Sequence, residues 1–585
     1  MSAADPTPQP TSAQDEKKVT RMPSKVMAQG QAKKSDNVTH CDVFILGSGL
    51  AGSVSGAILA RQGAKVVLVD AGQHPRFAVG ESMTPQLIEW LHILKSRFDV
   101  PELGHLLSAK AVADHIGPHH GKKQSFGFIK HEAGQEPDPE QATMFVIPKV
   151  LTDASHLFRQ DSDQYYFNVA AKYGCTTRQN WFATDLDFDD DGVTVTGRNG
   201  EVFRAKYLID ASGFRSPLAE KFDLREQPCR FKHHARSMFT HYIGVKPFDD
   251  VSHHPVSKRP PAQWHGGTLH HLIERGWFWI IPFDNVKGSK NPMCSVGITM
   301  DERTYPKPKD LTPEQEFRSF LDKYPAVKRQ FVGAKRVREW VSTDRLQYSS
   351  SRSIGPRWCL MSHAAGFLDP LYSRGLSNTF EVVHALCTRI LESIADDDWS
   401  VERFEYVEQV ERGLLRHNDD LVNASYISFS HFRLWNAVFR VWGGFLTPGV
   451  MRLHRARAQY ELTGDEQHLK DLENTPYPGL WWPHDEFRKI LELTAETCEK
   501  YEVGELDGDT AADIVFAALR DCEGLNPVFG WKDDESTRFV YPSTAMVAKF
   551  MNWSLRKAPQ GEMRDIARSL VSSGLRSALQ GKKAL

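Results

Sequence analysis

The sequence has no run of apolar residues near the roughly 18–20 that a membrane-spanning helix needs. Its first 39 residues lack the apolar core of a secretory signal and are rich in Pro, Ser, Gln and Lys, which is typical of a disordered tail. It also lacks a charge excess, since 72 Lys and Arg face 74 Asp and Glu, for a net charge of −2. We therefore expect no membrane span, no nucleic-acid partner and a cytoplasmic location.

Paired cysteines are also missing. The eight cysteines are scattered through the 585 residues without a C-x-x-C pair, which argues against a disulfide framework and a zinc site. Histidines do occur in adjacent pairs, but neighbours on a strand point to opposite faces and do not make a ready ligand set. We expect no metal site. The pairs are His119-His120, His233-His234, His253-His254 and His270-His271.

A glycine pattern near residue 47 predicts a dinucleotide site. Gly47, Gly49 and Gly52 form G-x-G-x-x-G. The first glycine permits a tight turn, the second lets a pyrophosphate approach the backbone, and the third lets the helix pack on the sheet. The residues of this loop that we expect at the cofactor are Gly47, Ser48, Gly49, Ala51 and Gly52.

The setting of this loop strengthens the prediction. A predicted strand at Asp42–Leu46 precedes it and a predicted helix at Val54–Gln62 follows. A second strand, Lys65–Val69, ends at Asp70, whose carboxylate can bind a ribose hydroxyl. A glycine loop between two strands, with an acid at this distance, indicates a Rossmann-type nucleotide fold.

Two later segments favour FAD over NAD. Asp210 ends the predicted strand of YLIDASG, a loosened form of a second nucleotide motif of FAD monooxygenase-like proteins. Arg159 precedes an acidic, aromatic helix and resembles the arginine that helps to hold flavin in the same superfamily. The alternative for Arg159 is a solvated helix start that pairs with its acidic neighbours.

The stretch GWFWIIPF sets two tryptophans two residues apart on a predicted strand, so both indoles lie on one face. It matches a W-x-W-x-I-P pattern. The matching residues are Trp277, Trp279, Ile281 and Pro282.

The segment GFLDPLYSRGLS matches an F-x-x-P-x-x-S-x-G pattern at Phe367, Pro370, Ser373 and Gly375. With both patterns present, the chain resembles the flavin-dependent halogenases. The likeness runs from about residue 41 to about residue 469 and is nearest to members that act on free phenols. It implies an FADH2-dependent enzyme that uses O2 and chloride or bromide, and a separate flavin reductase as partner.

The resemblance also implies the architecture. We expect an α/β protein with a Rossmann-type FAD-binding fold, an interleaved β-sheet substrate region and a helical C-terminal region. The predicted divisions are a tail at 1–39, the FAD-binding halogenase module at 40–385 and a mainly helical region at 386–585.

Roles for the matched residues follow from the resemblance. Trp277 and Trp279 form a barrier between flavin and organic substrate; alternatively they are core aromatics. Backbone N–H groups at Ser373, Arg374 and Gly375 face the halide. Alternatively, or in addition, Ser373 caps a helix at 376–386. The remaining flavin contacts that we expect are Glu81, Asp369 and Gly375.

Two departures from the family pattern bear on cofactor and substrate. The family's usual Gly-Asp before the halide segment, which contacts the ribityl chain of the flavin, is replaced by Ser362-His363. Tryptophan halogenases carry a glutamate where this chain has Tyr372. That difference argues against tryptophan and favours an electron-rich phenol.

The family guides hypohalous acid to its substrate with a lysine, and alignment of GPHHGKKQSFGFIKH places Lys123 there. Strand alternation predicts Lys123 on the face opposite Phe126. The alternative is that Lys122 and Lys123 are both surface lysines, in which case Lys95 is the candidate.

Three other functions stay open. An FAD-dependent aromatic hydroxylase would reduce its own flavin with NAD(P)H and insert oxygen without halide. A geranylgeranyl-reductase-like flavoprotein shares the nucleotide motifs. A flavin-fold protein that only binds is disfavoured by the intact halide segment.

Overall fold

The computed structural model describes residues 38–147 and 153–558, together with 564, 565, 567 and 568. The predicted tail at 1–39 lies outside this part except for its last two residues. The described residues include α-helices, short 3-10 turns and three β-sheets.

The strands are numbered in chain order. They are β1 (Val38–Leu46), β2 (Val66–Val69), β3 (Gly121–Lys122), β4 (Ser125–Lys130), β5 (Ala142–Val146), β6 (Ser155–His156), β7 (Thr176–Arg178), β8 (Ala183–Asp189), β9 (Gly192–Gly197), β10 (Val202–Asp210), β11 (Ala235–Ile243), β12 (Thr268–Ile273), β13 (Gly276–Pro282), β14 (Met293–Asp301), β15 (Lys335–Arg336), β16 (Val341–Arg345), β17 (Ile354–Gly355), β18 (Trp358–Leu360) and β19 (Phe539–Val540).

The helices are numbered in the same way. They are α1 (Leu50–Arg61), α2 (Pro85–Arg97), α3 (Ala109–His115), α4 (Arg159–Lys172), α5 (Pro217–Lys221), α6 (Phe248–Val251), α7 (Pro313–Lys323), α8 (Pro325–Gln330), α9 (Gly375–Asp396), α10 (Val401–Ser428), α11 (Phe432–Thr463), α12 (Gln467–Lys470), α13 (Asp485–Glu502), α14 (Gly508–Asp521) and α15 (Thr544–Arg556).

The first sheet is the predicted Rossmann-type sheet. Its strands run in the order β17-β18-β10-β1-β2-β7, and β9 with β8 extends it from β10. Strands β18, β10, β1, β2 and β7 are parallel. Because helices cover both faces of such a sheet, the four residues of β2, Val-Val-Leu-Val, are all buried. The parallel strands end together at Leu46, Val69, Asp210 and Leu360, and this edge is where α/β sheets bind ligands.

The second sheet has nine strands and is largely antiparallel. Its order is β15-β11-β14-β13-β12-β4-β5-β19, with β16 also paired to β11. Strand β13, which carries the two tryptophans, is buried along its whole length between β12 and β14. The pieces come from residues 125–146, 235–301, 335–345 and 539–540, so this sheet is interleaved with the first, as predicted.

Long helices cover the second sheet. Helix α11 contributes Trp435, Phe439 and Trp442 to a core with Phe126 and Phe128 of β4. The aromatic segment at residues 431–446 therefore packs into this core. No helix in the described part of the chain is long and apolar enough to cross a membrane.

The division at residue 385 stays a prediction. Helix α9 continues through it, from residue 375 to 396. Strand β19, from the region predicted as helical, pairs in parallel with β5 of the second sheet. The C-terminal region is thus mainly helical but contributes a strand to the interleaved sheet.

Candidate active site

The glycine loop leaves one open side for a ligand. Gly47 has a left-handed φ of 95°, and a Cβ there would lie 2.6 Å from the carbonyl oxygen of Ala211. A Cβ at Gly52 would lie 1.9 Å from the carbonyl oxygen of Gly47. At Gly49, by contrast, the nearest atom is Arg76 Nη2 at 3.9 Å. The loop is closed against protein at two glycines and accessible at the middle one.

The same loop presents the positive end of a helix. Helix α1 is capped at Gly49 without any side-chain hydrogen bond, so its first N–H groups are available to a phosphate; Ala51 lies in this turn. Asp70, at the end of β2, accepts from Ser48 N at 2.7 Å and Arg76 Nη2 at 3.0 Å. Burial tends to raise the Asp70 pKa, but Arg76 and the hydrogen bonds outweigh it and lower the pKa. Asp70 therefore stays an anion beside the loop.

Asp210 has a structural environment. It is fully buried, and its two oxygens accept from Ser212 Oγ at 2.5 Å, Ser216 Oγ at 2.6 Å and Leu218 N at 3.2 Å. Burial raises its pKa despite these bonds. The Asp210 carboxyl thus holds the loop after β10, whereas its contact with a flavin stays a prediction.

A cavity of about 310 Å³ is lined by β11, β12, β13 and β16 of the second sheet, by the loop at residues 79–82 and by the halide segment. Its volume falls in the range of small-molecule and cofactor sites. Many residues predicted from widely separated motifs line it together. These are Glu81, Arg159, Trp277, Trp279, Ile281, Asp369, Ser373 and Gly375.

One wall of the cavity is the tryptophan strand. Trp277, Trp279 and Ile281 line it from alternate positions of β13, and the two indole centroids are 5.6 Å apart. The Trp279 ring lies over Gly297 of β14, where a Cβ would come within 2.2 Å of the indole. A glycine at that register position makes room for the wall.

The opposite rim is held by Arg159. Its guanidinium pairs with Asp163 one turn along α4 and donates from Nη1 to the carbonyl of Val79 at 2.6 Å and that of Gly80 at 3.2 Å. Arg159 is thus paired with an acid and also lines the cavity, while its contact with a flavin stays a prediction. Glu81 Oε2 accepts from Gly80 N at 2.9 Å, while its buried Oε1 has no hydrogen-bond partner among the described residues.

A hydrogen-bond network ties the tryptophan wall to the halide segment. Trp277 Nε1 donates to Tyr426 Oη at 2.8 Å, and Tyr426 Oη donates to Asp369 Oδ2 at 2.9 Å. His233 Nε2 is 3.1 Å from the same oxygen, and Leu371 N donates to Oδ1. Sequence analysis missed Tyr426 and His233, since neither belongs to a motif. Asp369 lines the cavity, but its oxygens are used to position the wall.

Lys123 contacts the halide segment directly. Its Nζ donates to Ser373 Oγ at 2.9 Å, and the residue is only 1% exposed. Burial holds the pKa of the ammonium well below its ordinary value. The predicted alternation was wrong, because Lys123 Nζ lies 3.7 Å from the ring centroid of Phe126. Lys123 precedes β4 and is not in its pleat.

The other two lysines lie elsewhere. Lys122 forms an ion pair with Asp153, Nζ to Oδ1 2.9 Å. Lys95 is in α2, with its stem beside Gly104. Of the three candidates, Lys123 is the one hydrogen-bonded to Ser373.

Ser373 does not cap a helix, so that alternative was wrong. The N-cap of α9 is Arg374, which makes no side-chain cap bond. Ser373 has a left-handed φ of 55°, a conformation that costs an L-residue about 1–2 kcal/mol. The strained residue turns its hydroxyl toward Lys123.

Two histidines that sequence analysis did not select lie next to this site. His156 is held between the Pro282 carbonyl, 3.0 Å from Nδ1, and Thr268 Oγ1, 3.1 Å from Nε2. His270 donates from Nδ1 to the Gly127 carbonyl at 2.9 Å and lines the cavity. Burial, aided by Lys123, lowers both pKa values to about 3, so both rings are neutral. The adjacent pair His270-His271 was a usable signal for His270. Neighbours on a strand face opposite sides, so His270 lines the cavity while His271 contacts Gln330.

Metal binding has no geometric support in the described part of the chain. There, no group of three or more His, Cys, Asp or Glu side chains is arranged to hold an ion. The eight cysteines are free thiols.

Comparison with known proteins identifies the family. The tryptophan halogenase family model matches residues 132–431, and an NAD(P)-binding Rossmann-like model matches residues 45–88. The tetracycline 7-halogenase of Kitasatospora aureofaciens is 49% identical over 513 residues, 88% of this chain and 92% of that protein. The monodechloroaminopyrrolnitrin halogenase PrnC of Pseudomonas fluorescens is 42% identical over 541 residues, 91% of this chain and 95% of that protein.

A solved structure agrees in fold. The crystal structure of halogenase PltM in complex with phloroglucinol and FAD has a TM-score of 0.82 and 34% identity, covering 86% of this chain and 99% of that one. The chain belongs to the flavin-dependent halogenases. It is an enzyme with FAD as cofactor and halide as a substrate.

The residues present fit FAD. The open side of the glycine loop and the uncapped start of α1 suit a pyrophosphate. The 310 Å³ cavity suits a ring system, and the unpartnered Glu81 Oε1 is an acceptor at its edge.

Proposed function

We propose that this enzyme halogenates an electron-rich phenol with chloride or bromide, and that Lys123 guides the hypohalous acid to the ring. The observation that carries the proposal is the 2.9 Å hydrogen bond from Lys123 Nζ to Ser373 Oγ. It joins the reactive lysine to the segment predicted to face the halide. Residues from two separate motifs thereby meet at one edge of the cavity.

The cofactor would be held in two parts. Gly47, Ser48, Gly49, Ala51, Gly52 and Asp70 would hold the nucleotide end, with Asp210 supporting the loop beside it. Glu81, Arg159, Asp369 and Gly375 surround the ring cavity. When bound, reduced FAD supplies with O2 the oxidising power that turns halide into hypohalous acid.

Lys123 would act as a hydrogen-bond donor and proton carrier. A buried amine with a lowered pKa exchanges a proton more readily than a solvated one. Ser373 Oγ fixes its position. The aromatic ring attacks the halogen of hypohalous acid, a carbon–halogen bond forms as the halogen–oxygen bond breaks, and the ring proton leaves with hydroxide as water. Lys123 would stabilise the departing oxygen.

The tryptophan wall would keep the phenol away from the flavin. Trp277 and Trp279 are both less than a tenth exposed and form a continuous face with Ile281. Pro282 ends this strand, and its carbonyl is bound to His156. A rigid apolar wall excludes the ring of an organic substrate and leaves room for a small oxidant near Ser373.

A phenol suits the substrate side. Two relatives are named for tetracycline and monodechloroaminopyrrolnitrin, and the PltM structure contains phloroglucinol, which favours an electron-rich aromatic ring. Tyr372 occupies the position of the glutamate of tryptophan halogenases, and its hydroxyl is 2.6 Å from Ser425 Oγ. This position therefore supplies no carboxylate for indole chemistry, and we expect resorcinol-like phenols rather than tryptophan.

The test is product analysis with two matched variants. Purified enzyme with FAD, a generic flavin reductase, NADH and bromide is incubated with a panel of phenols and with tryptophan, and products are identified by mass spectrometry. Lys123→Ala should lower bromophenol formation by about 10²–10⁴-fold, as expected for loss of a positioned proton donor. Lys122→Ala, which loses only a partly exposed ion pair, should retain nearly full activity.

Flavin binding separates the proposal from simple misfolding. Both variants should bind FAD and oxidise FADH2 like the wild type, because Lys123 lies outside the lining of the cavity. Equal halogenation by the two variants would show that Lys123 is not the guide. Hydroxylated product without halide would favour the aromatic hydroxylase.

A further inference from the structure

A second, smaller cavity of about 60 Å³ lies behind the halide segment. It is lined by the segment itself, by the first turns of α9 and by α10. It shares four lining residues with the 310 Å³ cavity, so the two are neighbours: His363, Phe367, Asp369 and Gly375. A water molecule has a share of about 30 Å³ in the liquid, so the space suits a monatomic ion.

Arg374 is one of the residues that line this cavity. Arg374 is only 6% exposed, and neither Nε nor Nη1 has a hydrogen-bond partner among the described residues. The group stacks on Trp481, 4.3 Å from the ring centroid. Burial lowers its pKa to about 10, against the raising effect of Glu381, so the charge remains at neutral pH. A buried cation with free donors calls for an anion.

Glu381 is the acid that acts most directly on Arg374, and its negative charge offsets the positive charge of the guanidinium only in part. Burial raises the Glu381 pKa to about 7, and Arg374 lowers it, so at neutral pH this carboxyl is partly protonated. Glu381 is also absent from the residues that line the cavity.

Besides Arg374, the cavity is lined by two carboxyls and one histidine: Glu411, Asp369 and His363. Burial holds the pKa of Glu411 well above its ordinary value, which disfavours the charged carboxylate, and its Oε2 has no hydrogen-bond partner in the described chain. Burial lowers the His363 pKa to about 4, so that ring is neutral. The Asp369 carboxyl is turned to Tyr426 and Leu371, which donate to it.

The start of α9 adds to the positive potential. This helix of 22 residues begins at Gly375, and its N-cap makes no side-chain hydrogen bond. An uncapped N-terminus carries about half a positive charge. Asn378, in the first turn, adds a side-chain amide to the cavity wall.

We propose that the Arg374 cavity is a second halide site, which holds chloride or bromide before it moves to the Ser373–Gly375 backbone. The inference rests on the proposed function for the use of that halide. A surface cleft of about 1160 Å³ lies next to this cavity, because Glu411 and Leu415 line both. The side chain of Arg374 thereby gains a role separate from its backbone N–H.

The test locates bromide and measures its use. Crystals of the wild type and of Arg374→Gln are soaked in sodium bromide, and anomalous diffraction shows where bromide binds. The control is Arg352→Gln, since Arg352 also stacks on a tryptophan, 5.4 Å from the Trp358 centroid, but is exposed. We expect a bromide peak beside the guanidinium in wild type and control that is lost in Arg374→Gln.

Kinetics give the second readout. Arg374→Gln should raise the KM for bromide at least tenfold while the Kd for FAD, measured by fluorescence, changes less than twofold; Arg374→Lys should recover part of the loss. An unchanged bromide KM in an active Arg374→Gln enzyme, or no peak in the wild-type cavity, would overturn the inference and leave the proposed function standing. A peak at Arg374 in an enzyme that makes no bromophenol would instead support the anion site and refute the proposed function.

Discussion

At the scale of single residues, Tyr426 connects the tryptophan wall to the halide segment. Tyr426→Phe would remove the acceptor of Trp277 Nε1 and one donor to Asp369. Leaving buried polar atoms unpaired costs about 1–3 kcal/mol each, so we expect a fall of that order in the free energy of unfolding, measured by urea denaturation. We also expect less brominated product per FADH2 oxidised, because a looser wall leaks hypohalous acid.

Tyr541→Phe is the control for that experiment, because Tyr541 is 48% exposed. It should leave both the unfolding free energy and the ratio of product to FADH2 unchanged. If Tyr426→Phe matched the control in both quantities, the network would have no part in holding the wall.

At the scale of elements, the wall depends on the register of β13 against β14. Gly297 lies opposite Trp279, and a Cβ there would meet the indole at 2.2 Å. Gly297→Ala and then Gly297→Val should push the ring into the 310 Å³ cavity. Overpacking costs about 1–3 kcal/mol, and we expect the Kd for FAD to rise in the order Gly, Ala, Val. The same FAD affinity in all three proteins would show that Trp279 does not border the flavin.

Short-range patterns predicted the first-sheet elements closely. The strand expected at 42–46 ends at Leu46 as predicted, and the second strand ends at Val69, beside Asp70. The helix expected from Val54 begins earlier, at Leu50, because a helix can start inside the glycine loop. These signals are local, since hydrophobic runs and glycines act on their own neighbours.

Contacts between distant segments were less accessible to sequence reasoning. Lys123 and Ser373 are 250 residues apart, and the family resemblance gave each a role without predicting their contact. Two local rules failed at these residues. Strand alternation did not place Lys123 correctly, and Ser373 accepts a hydrogen bond from Lys123 instead of capping α9. Tyr426 carried no signal in the sequence, and His233 carried only its place in the adjacent pair His233-His234. Such contacts depend on how sheets and helices pack, which no short window of sequence contains.

At the scale of the whole molecule, we expect the chain to need a separate reductase. Its nucleotide motifs account for one dinucleotide, FAD. The sequence offers no separate motif for a nicotinamide cofactor. Alone with FAD, phenol and bromide, it should oxidise NAD(P)H slowly, and added flavin reductase should restore bromination. The measurement is NADH absorbance followed beside product formation. Rapid NADPH oxidation by this chain alone, stimulated by the phenol, would favour the hydroxylase.

The stability of the molecule should depend on pH through its buried histidines. Burial lowers the pKa of seven of them to about 3 or 4, against about 6.5 in the unfolded chain. They are His92, His120, His156, His270, His271, His363 and His417. Below pH 6.5 the unfolded state binds protons that the folded state does not, so the free energy of unfolding falls as pH falls toward 4.

Buried carboxyls act in the opposite direction. Five carboxyls have raised pKa values and bind protons in the folded state first, but they are fewer than the seven histidines. They are Asp210, Glu381, Glu411, Asp419 and Asp420. We therefore expect the free energy of unfolding, measured by urea denaturation, to decrease from pH 7.5 to pH 4.5. The decrease should be up to about 1.4 kcal/mol per pH unit for each histidine whose effect is not cancelled by a buried carboxyl. His270→Gln should lower this slope by the contribution of one proton, up to about 1.4 kcal/mol per pH unit. His253→Gln, at an exposed position, should leave the slope unchanged. A stability that is constant or increases from pH 7.5 to 5 would mean that these histidines are not held neutral by the fold.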